Sequence, residues 1–196
     1  MIDVPLSRRR MIATGACAGL VLPARLAVAQ GLTPTPACHD GDAPTRAEIE
    51  GPYFKTNSPL RSDLREPGIA GRPVELSGVV LTRSCRPVGN ALVELWHANE
   101  QGEYDNAGFR LRGHLSTDAQ GRYAFRTIFP GLYPGRTRHY HVKVQAPNSA
   151  VLTTQLYFPD EPRNRRDSFF HDELVMKVAA ADDALRARFD VVLSLT

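Results

Sequence analysis

The residues with the plainest chemical potential are His139-Tyr140-His141. In an extended segment side chains alternate, so His139 and His141 share one face and Tyr140 takes the other. Two imidazoles so placed make a two-nitrogen metal clamp, although an H-x-H pair alone also fits two histidines that bind nothing. Two tyrosines extend the pattern. Tyr104 closes Glu100-Gln101-Gly102-Glu103-Tyr104, and Tyr133 closes Pro130-Gly131-Leu132-Tyr133 in the loop leading to the histidines. Each follows a glycine-containing turn, where loop side chains can converge on a site held by a rigid scaffold. Either tyrosine taken singly fits a packing role equally well.

The scaffold reads as all-β. Pro73–Leu81 and Ala91–His97 alternate or run apolar over strand lengths, separated by turn-forming residues 83–90. Further strands are expected at Tyr123–Ile128, His139–Ala146, Leu152–Phe158 and Val191–Leu195, with a hairpin turn at Asp118-Ala119-Gln120-Gly121. Asp182–Phe189 has acidic residues first and basic residues last, which suits the macrodipole of one short C-terminal helix. Residues 30–72 are rich in Pro, Gly and charge, so they read as an extended N-terminal arm wrapping the domain. The expectation is an antiparallel β-sandwich over residues 73–196, with arm and sandwich forming one domain.

Six ordered segments resemble the intradiol ring-cleavage dioxygenases: Glu50-Gly51-Pro52-Tyr53-Phe54, Leu95-Trp96-His97-Ala98-Asn99, Thr117–Tyr123, Pro130-Gly131-Leu132-Tyr133, His139-Tyr140-His141 and Leu152-Thr153-Thr154-Gln155. The resemblance implies a sandwich holding one Fe(III) per active site through Tyr104, Tyr133, His139 and His141. It places the active-site arginine on Arg136, with Arg138 as the alternative, and a supporting glutamine on Gln155. Phenolate is a hard, charged donor suited to ferric iron, and neutral imidazoles complete such a set. The implied reaction is cleavage of a catechol-type ring by O2 between its hydroxyl-bearing carbons, giving a muconate-type diacid. Tyr133 or Tyr104 would leave the metal and accept a substrate proton. No reductant or organic cofactor is implied.

The match also has departures. Only five residues separate Tyr133 from His139, fewer than in the familiar catechol and protocatechuate enzymes, and the helical N-terminal region of catechol 1,2-dioxygenases has no counterpart. A more open pocket for substituted catechols is the expectation, with Tyr53, Asp105 and Arg110 as candidate lining and Trp96 as a further candidate whose alternating strand better suits a core position. A homo-oligomer fits but is not specified. Two rivals stay in view: a non-catalytic transthyretin-like binding module, and a zinc or copper protein using His139 and His141 with His97 or His114.

The N-terminus carries Ser7-Arg8-Arg9-Arg10, a small apolar run over Ala13–Leu22, and Ala27-Val28-Ala29, which together resemble a twin-arginine export signal over residues 1–29. The apolar run is too short to span a bilayer, which needs roughly 20 residues, so no stable membrane insertion of the mature chain is expected. Cleavage after Ala29 lowers Lys+Arg from 24 to 20 and Asp+Glu from 21 to 20. The mature chain is then neutral, and nothing favours nucleic acid as a partner. Periplasmic or extracellular export leaves Cys38 and Cys85 in an oxidising compartment, where a Cys38–Cys85 disulfide is expected.

Overall fold

A computed structural model describes residues 43–196 and Met1; the rest of the expected signal, Cys38 and residues 30–42 of the expected arm lie outside the described residues. Among the described residues nine strands follow in chain order: β1 (Pro73–Leu81), β2 (Leu92–Trp96), β3 (Arg112–Ser116), β4 (Arg122–Ile128), β5 (His139–Gln145), β6 (Leu152–Tyr157), β7 (Lys177–Ala181), β8 (Ala184–Arg188) and β9 (Val191–Val192). Two short 3-10 turns, Asn164–Arg166 and Asp172–Leu174, lie between β6 and β7.

One sheet has the order β4-β1-β8-β7 with β9 continuing on β1, and the other β3-β2-β5-β6. The second is antiparallel throughout, as expected. The first is mixed, because β8 and β9 both run parallel to β1. Period-two alternation explains the core. Val74, Leu76 and Val80 of β1, Tyr123 and Phe125 of β4, and Tyr140, Val142 and Val144 of β5 are all buried in it. Tyr140 donates from its hydroxyl to the Ile128 carbonyl at 2.8 Å, joining the two sheets through a buried bond.

Two expectations need correction. The segment expected as a C-terminal helix is a hairpin: β7 and β8 pair antiparallel across Asp182 and Asp183, and Asp182 takes φ 43°. The charge pattern fitted a helix, but so short a segment is a marginal helix alone. Leu185, Ala187 and Phe189 repeat with period two and are buried, so packing favours a strand. The turn at Asp118–Gly121 forms, with Gly121 N–H donating to the Asp118 carbonyl at 2.9 Å. It joins β3 to β4, which lie in different sheets, so it is a corner of the sandwich and not a hairpin.

Gly78 marks where the C-terminal chain crosses β1. A β-carbon there would stand 1.7 Å from the Phe189 carbonyl oxygen and 2.8 Å from the Tyr123 ring. Gly78→Ala is therefore expected to destabilise the sandwich by at least the roughly 1–3 kcal/mol typical of overpacking, read as a lowered denaturation midpoint. An unchanged midpoint contradicts this packing.

Candidate metal centre

The site lies on the face of the β3-β2-β5-β6 sheet turned away from the other sheet. Register creates it: Arg112 pairs with Trp96, Trp96 with His141, and His141 with Gln155, so these four side chains form one row across four strands. His139 follows two residues before His141 on the same face, opposite Tyr157. The Ile49–Phe54 stretch covers the row, and His139 and His141 are buried, at 4% and 3% exposure.

The two tyrosine loops reach this face together because two glycines let them pack backbone to backbone. A β-carbon on Gly102, at φ 86°, would meet the Leu132 carbonyl oxygen at 2.3 Å, and one on Gly131 the Glu100 carbonyl oxygen at 2.3 Å. Asn99 organises both loops: its Oδ1 accepts from the N–H groups of Gln101 and Glu103, and its carbonyl accepts from Gly131 N–H at 2.7 Å. Asp105 then turns the chain after Tyr104 by accepting from the N–H groups of Ala107, Gly108 and Arg110.

The result is a cluster of four donors. His139 Nε2 and His141 Nε2 are 3.1 Å apart, and Tyr104 Oη is 3.4 Å from His139 Nε2. The Tyr133 ring lies edge-on to Tyr104 with centroids 5.8 Å apart. Tyr53, from the covering arm, stacks on Tyr104 at 4.5 Å and places its hydroxyl 3.0 Å from Tyr133 Oη.

This geometry suits a cation. His139 Nδ1 lies 2.7 Å from the Thr137 carbonyl, which can only accept, so Nδ1 carries the proton and Nε2 offers a lone pair. Burial, reinforced by the Arg136 charge, lowers the His139 pKa to about 4. Burial lowers that of His141 well below the ordinary value, with His139 and Arg136 adding to it. Both imidazoles are therefore neutral and ligand-competent at neutral pH. Two lone pairs facing each other at 3.1 Å would repel, so the gap suits either a proton on His141 Nε2 shared with His139 or a cation bound to both nitrogens. His141 Nδ1 has no partner among the described residues in either tautomer. Burial raises the Tyr104 pKa, while Arg136 and Arg112 favour its phenolate. A bound cation reverses the burial effect.

Arg136 is held on three sides. Its Nε donates to Asp167 Oδ2 at 2.8 Å, its Nη2 to Gln155 Oε1 at 2.6 Å, and its guanidinium lies 4.7 Å from the Phe169 ring centroid. Gln155 is anchored in turn by donating from Nε2 to the Ile49 carbonyl at 3.0 Å. Arg138 is engaged elsewhere, donating to Glu161 Oε1 and the Pro130 carbonyl. Arg112 gave no motif signal, yet its buried guanidinium ties the arm to the Tyr104 loop by donating to the carbonyls of Tyr53 and Asp105. Arg110 is exposed beside Tyr104 and Asp105.

The rival histidines fall outside the cluster. His97 points into the sandwich, opposite to Trp96, with Nδ1 donating to the Ala98 carbonyl at 2.8 Å and Nε2 accepting from Thr127 Oγ1 at 2.6 Å. His114 pairs with Glu94 in a different row and contacts Ser58 Oγ at 3.2 Å. Among the described residues no three His, Cys, Asp or Glu side chains gather as a metal set.

His97 also has a pH consequence. Burial lowers its pKa to about 3, against about 6.5 in an unfolded chain. The fold thus binds fewer protons than the unfolded chain, and stability present above pH 6.5 is lost as pH falls through the window down to about 3. The melting temperature of metal-free protein should fall on acidification across that window, and His97→Gln should flatten the fall. An equally steep profile in the variant would exclude His97 as a contributor.

A family model described as "Dioxygenase" matches residues 49–195. Catechol 1,2-dioxygenase 2 of Acinetobacter lwoffii is 31% identical over 166 residues, 70% of this chain and 60% of that protein. The protocatechuate 3,4-dioxygenase beta chain of Burkholderia cepacia is 33% identical over 156 residues, 68% of this chain and 65% of that protein. The chain thus spans somewhat under two thirds of these relatives' length. Among solved structures, the dioxygenase domain of a dioxygenase and carbohydrate-binding fusion from Streptomyces sp. SirexAA-E shares 49% identity at a TM-score of 0.77, covering 79% of this chain and 100% of that one. With the family model spanning the sandwich and its covering arm, the chain belongs to the intradiol ring-cleavage dioxygenase family.

Proposed function

We propose that this chain is a non-haem Fe(III) dioxygenase that cleaves catechol-type rings between the hydroxyl-bearing carbons, with O2 as the second substrate. The observation that carries the reading is the convergence of Tyr104 Oη, His139 Nε2 and His141 Nε2 within 3.4 and 3.1 Å steps, beside Tyr133. These four residues would hold one ferric ion. When bound, that ion supplies Lewis acidity towards a chelated catecholate and accepts electron density from the ring.

The chain's own groups do the rest. Tyr133 Oη accepts a proton from the substrate hydroxyl, with Tyr53 Oη as its hydrogen-bond partner at 3.0 Å. Arg136 stabilises negative charge developing on the ring and oxygen atoms, as preorganised cations do in water-poor sites. Gln155 and Asp167 fix its guanidinium, so no reorganisation is needed as that charge grows. Arg138 is not assigned this role, because Glu161 and the Pro130 carbonyl already hold it. The Tyr53 ring, stacked on Tyr104, helps to keep bulk water from the donors.

The reading extends to the rest of the chain. Residues 1–29 form a twin-arginine signal that exports the folded protein to the periplasm or beyond. Cys38 and Cys85, which export places in an oxidising compartment, are assigned as a disulfide. Substituted catechols, including carboxylated ones, are the assigned substrate class, in keeping with the five-residue Tyr133–His139 connection.

Turnover of a catechol panel under 18O2, followed by mass spectrometry, tests the activity. The expected product is a muconate-type diacid carrying two labelled oxygens. A ring opened beside the two hydroxyl-bearing carbons, or oxidation to a quinone without label, would sink the reading.

A further inference from the structure

The two histidines of the cluster are held in different ways. His139 has its ring plane set by a hydrogen bond, Nδ1 to the Thr137 carbonyl at 2.7 Å. Histidines that ligate metals nearly always have such an outer partner. His141 has none among the described residues: its Nδ1 is buried and unpartnered. What it has is Trp96, its cross-strand neighbour, lying parallel to it with ring centroids 5.0 Å apart and planes 10° from coincidence. Gly51 borders the same ring, and a β-carbon there would come within 3.2 Å of His141 Cε1.

Trp96 is itself positioned by its faces. It is 1% exposed, Phe54 packs on it with centroids 5.0 Å apart, and Lys143 Nζ lies 3.4 Å from the Phe54 centroid. Its indole Nε1–H is buried without a partner among the described residues, whereas a buried tryptophan usually finds one. An indole sited for its donor would not leave it idle. The orientation that is kept is the one that presents a flat surface to His141.

We propose that Trp96 is the positioning residue for His141: its face, with Gly51 at the ring's edge, sets the imidazole plane that a hydrogen bond sets for His139. The inference rests on the iron reading above, and it makes the two histidines unequal. His141 owes its aim to packing, so loss of the stacked surface loosens it while leaving its chemistry unchanged. A tryptophan that merely fills the core would affect stability without this selectivity.

The test uses iron-loaded full-length protein and the variants Trp96→Phe, Trp96→Leu and, as a matched core truncation away from the site, Phe125→Leu. Iron affinity is measured by competition with a chelator, the tyrosinate-to-iron absorption band gives the ligand geometry, and the melting temperature of metal-free protein gives stability. Trp96→Leu is expected to weaken iron binding by about 10–100-fold, the range seen when an outer partner of a ligand is lost, and to shift the band. Trp96→Phe, which keeps a flat ring, should recover most of both. Phe125→Leu should lower the melting temperature while leaving iron affinity and band in place. Trp96 is the chain's one tryptophan, so wild-type emission should be quenched on iron loading, a measurement that needs no variant to fold. Iron bound as tightly by Trp96→Leu as by wild type, an equal loss in Phe125→Leu, or emission indifferent to iron would overturn the proposal. A wild-type chain that takes up no iron overturns the metal reading itself, a distinct and recognisable failure.

Discussion

His139→Ala is expected to abolish stoichiometric iron binding and, with it, catechol turnover. Loss of an outer partner of a ligand costs about 10–100-fold in affinity or activity, so loss of the ligand itself should exceed about 100-fold. The effect should be local. His139 lies on the outer face of β5, while Tyr140, Val142 and Val144 supply that strand's core packing, so the variant should keep its β-sheet circular dichroism. Removing the side chain opens space in a buried site and takes the donor from the Thr137 carbonyl, so the metal-free variant should melt somewhat below metal-free wild type while keeping its fold. Turnover within a few-fold of wild type would remove His139 from the donor set.

Arg136→Ala is the second large effect, and it should separate chemistry from metal binding. The guanidinium is not a ligand, so iron should remain while kcat falls by about 10^2–10^3, the cost of deleting a preorganised charge-stabilising donor. The substitution also leaves Asp167 buried without its cation; its side chain is 1% exposed. Breaking a buried pair in this way costs about 3–5 kcal/mol, so lowered stability must be separated from lowered rate. Arg136→Lys serves that purpose. A lysine keeps a positive charge near Asp167 but cannot span Asp167 and Gln155 at once, as the planar guanidinium does. It should recover much of the melting temperature and little of kcat. Recovery of both would make Arg136 a structural cation only.

Much of this architecture was legible in the sequence, and the exceptions have physical causes. Strands with strong alternation or a continuous apolar run, such as Pro73–Leu81 and His139–Gln145, stood out because their own side chains build the core. β3 did not, since Arg112-Gly113-His114-Leu115-Ser116 has one large apolar residue and is held by pairing with β2 and by contacts to residues 59–61. The Asp182–Phe189 hairpin was obscured by a charge order that two different structures satisfy, although its Leu185-Ala187-Phe189 alternation was present. In the site, the H-x-H parity and the two glycine turns were visible. The Arg112-Trp96-His141-Gln155 row was not, because register joins residues up to 59 positions apart only once the sheet is built. Tyr53 stood out as a motif residue, but its hydroxyl contact with Tyr133 depends on how the arm folds over the sheet.

The central claim is a tyrosinate and histidine iron centre that binds catechols directly. The visible absorption spectrum of iron-loaded protein, recorded before and after adding a catechol without oxygen, tests it most directly. The account predicts a broad tyrosinate-to-Fe(III) charge-transfer band that shifts when the catechol binds. A colourless protein with a full complement of zinc, or an iron-loaded protein whose spectrum lacks that band and ignores the catechol, would contradict it.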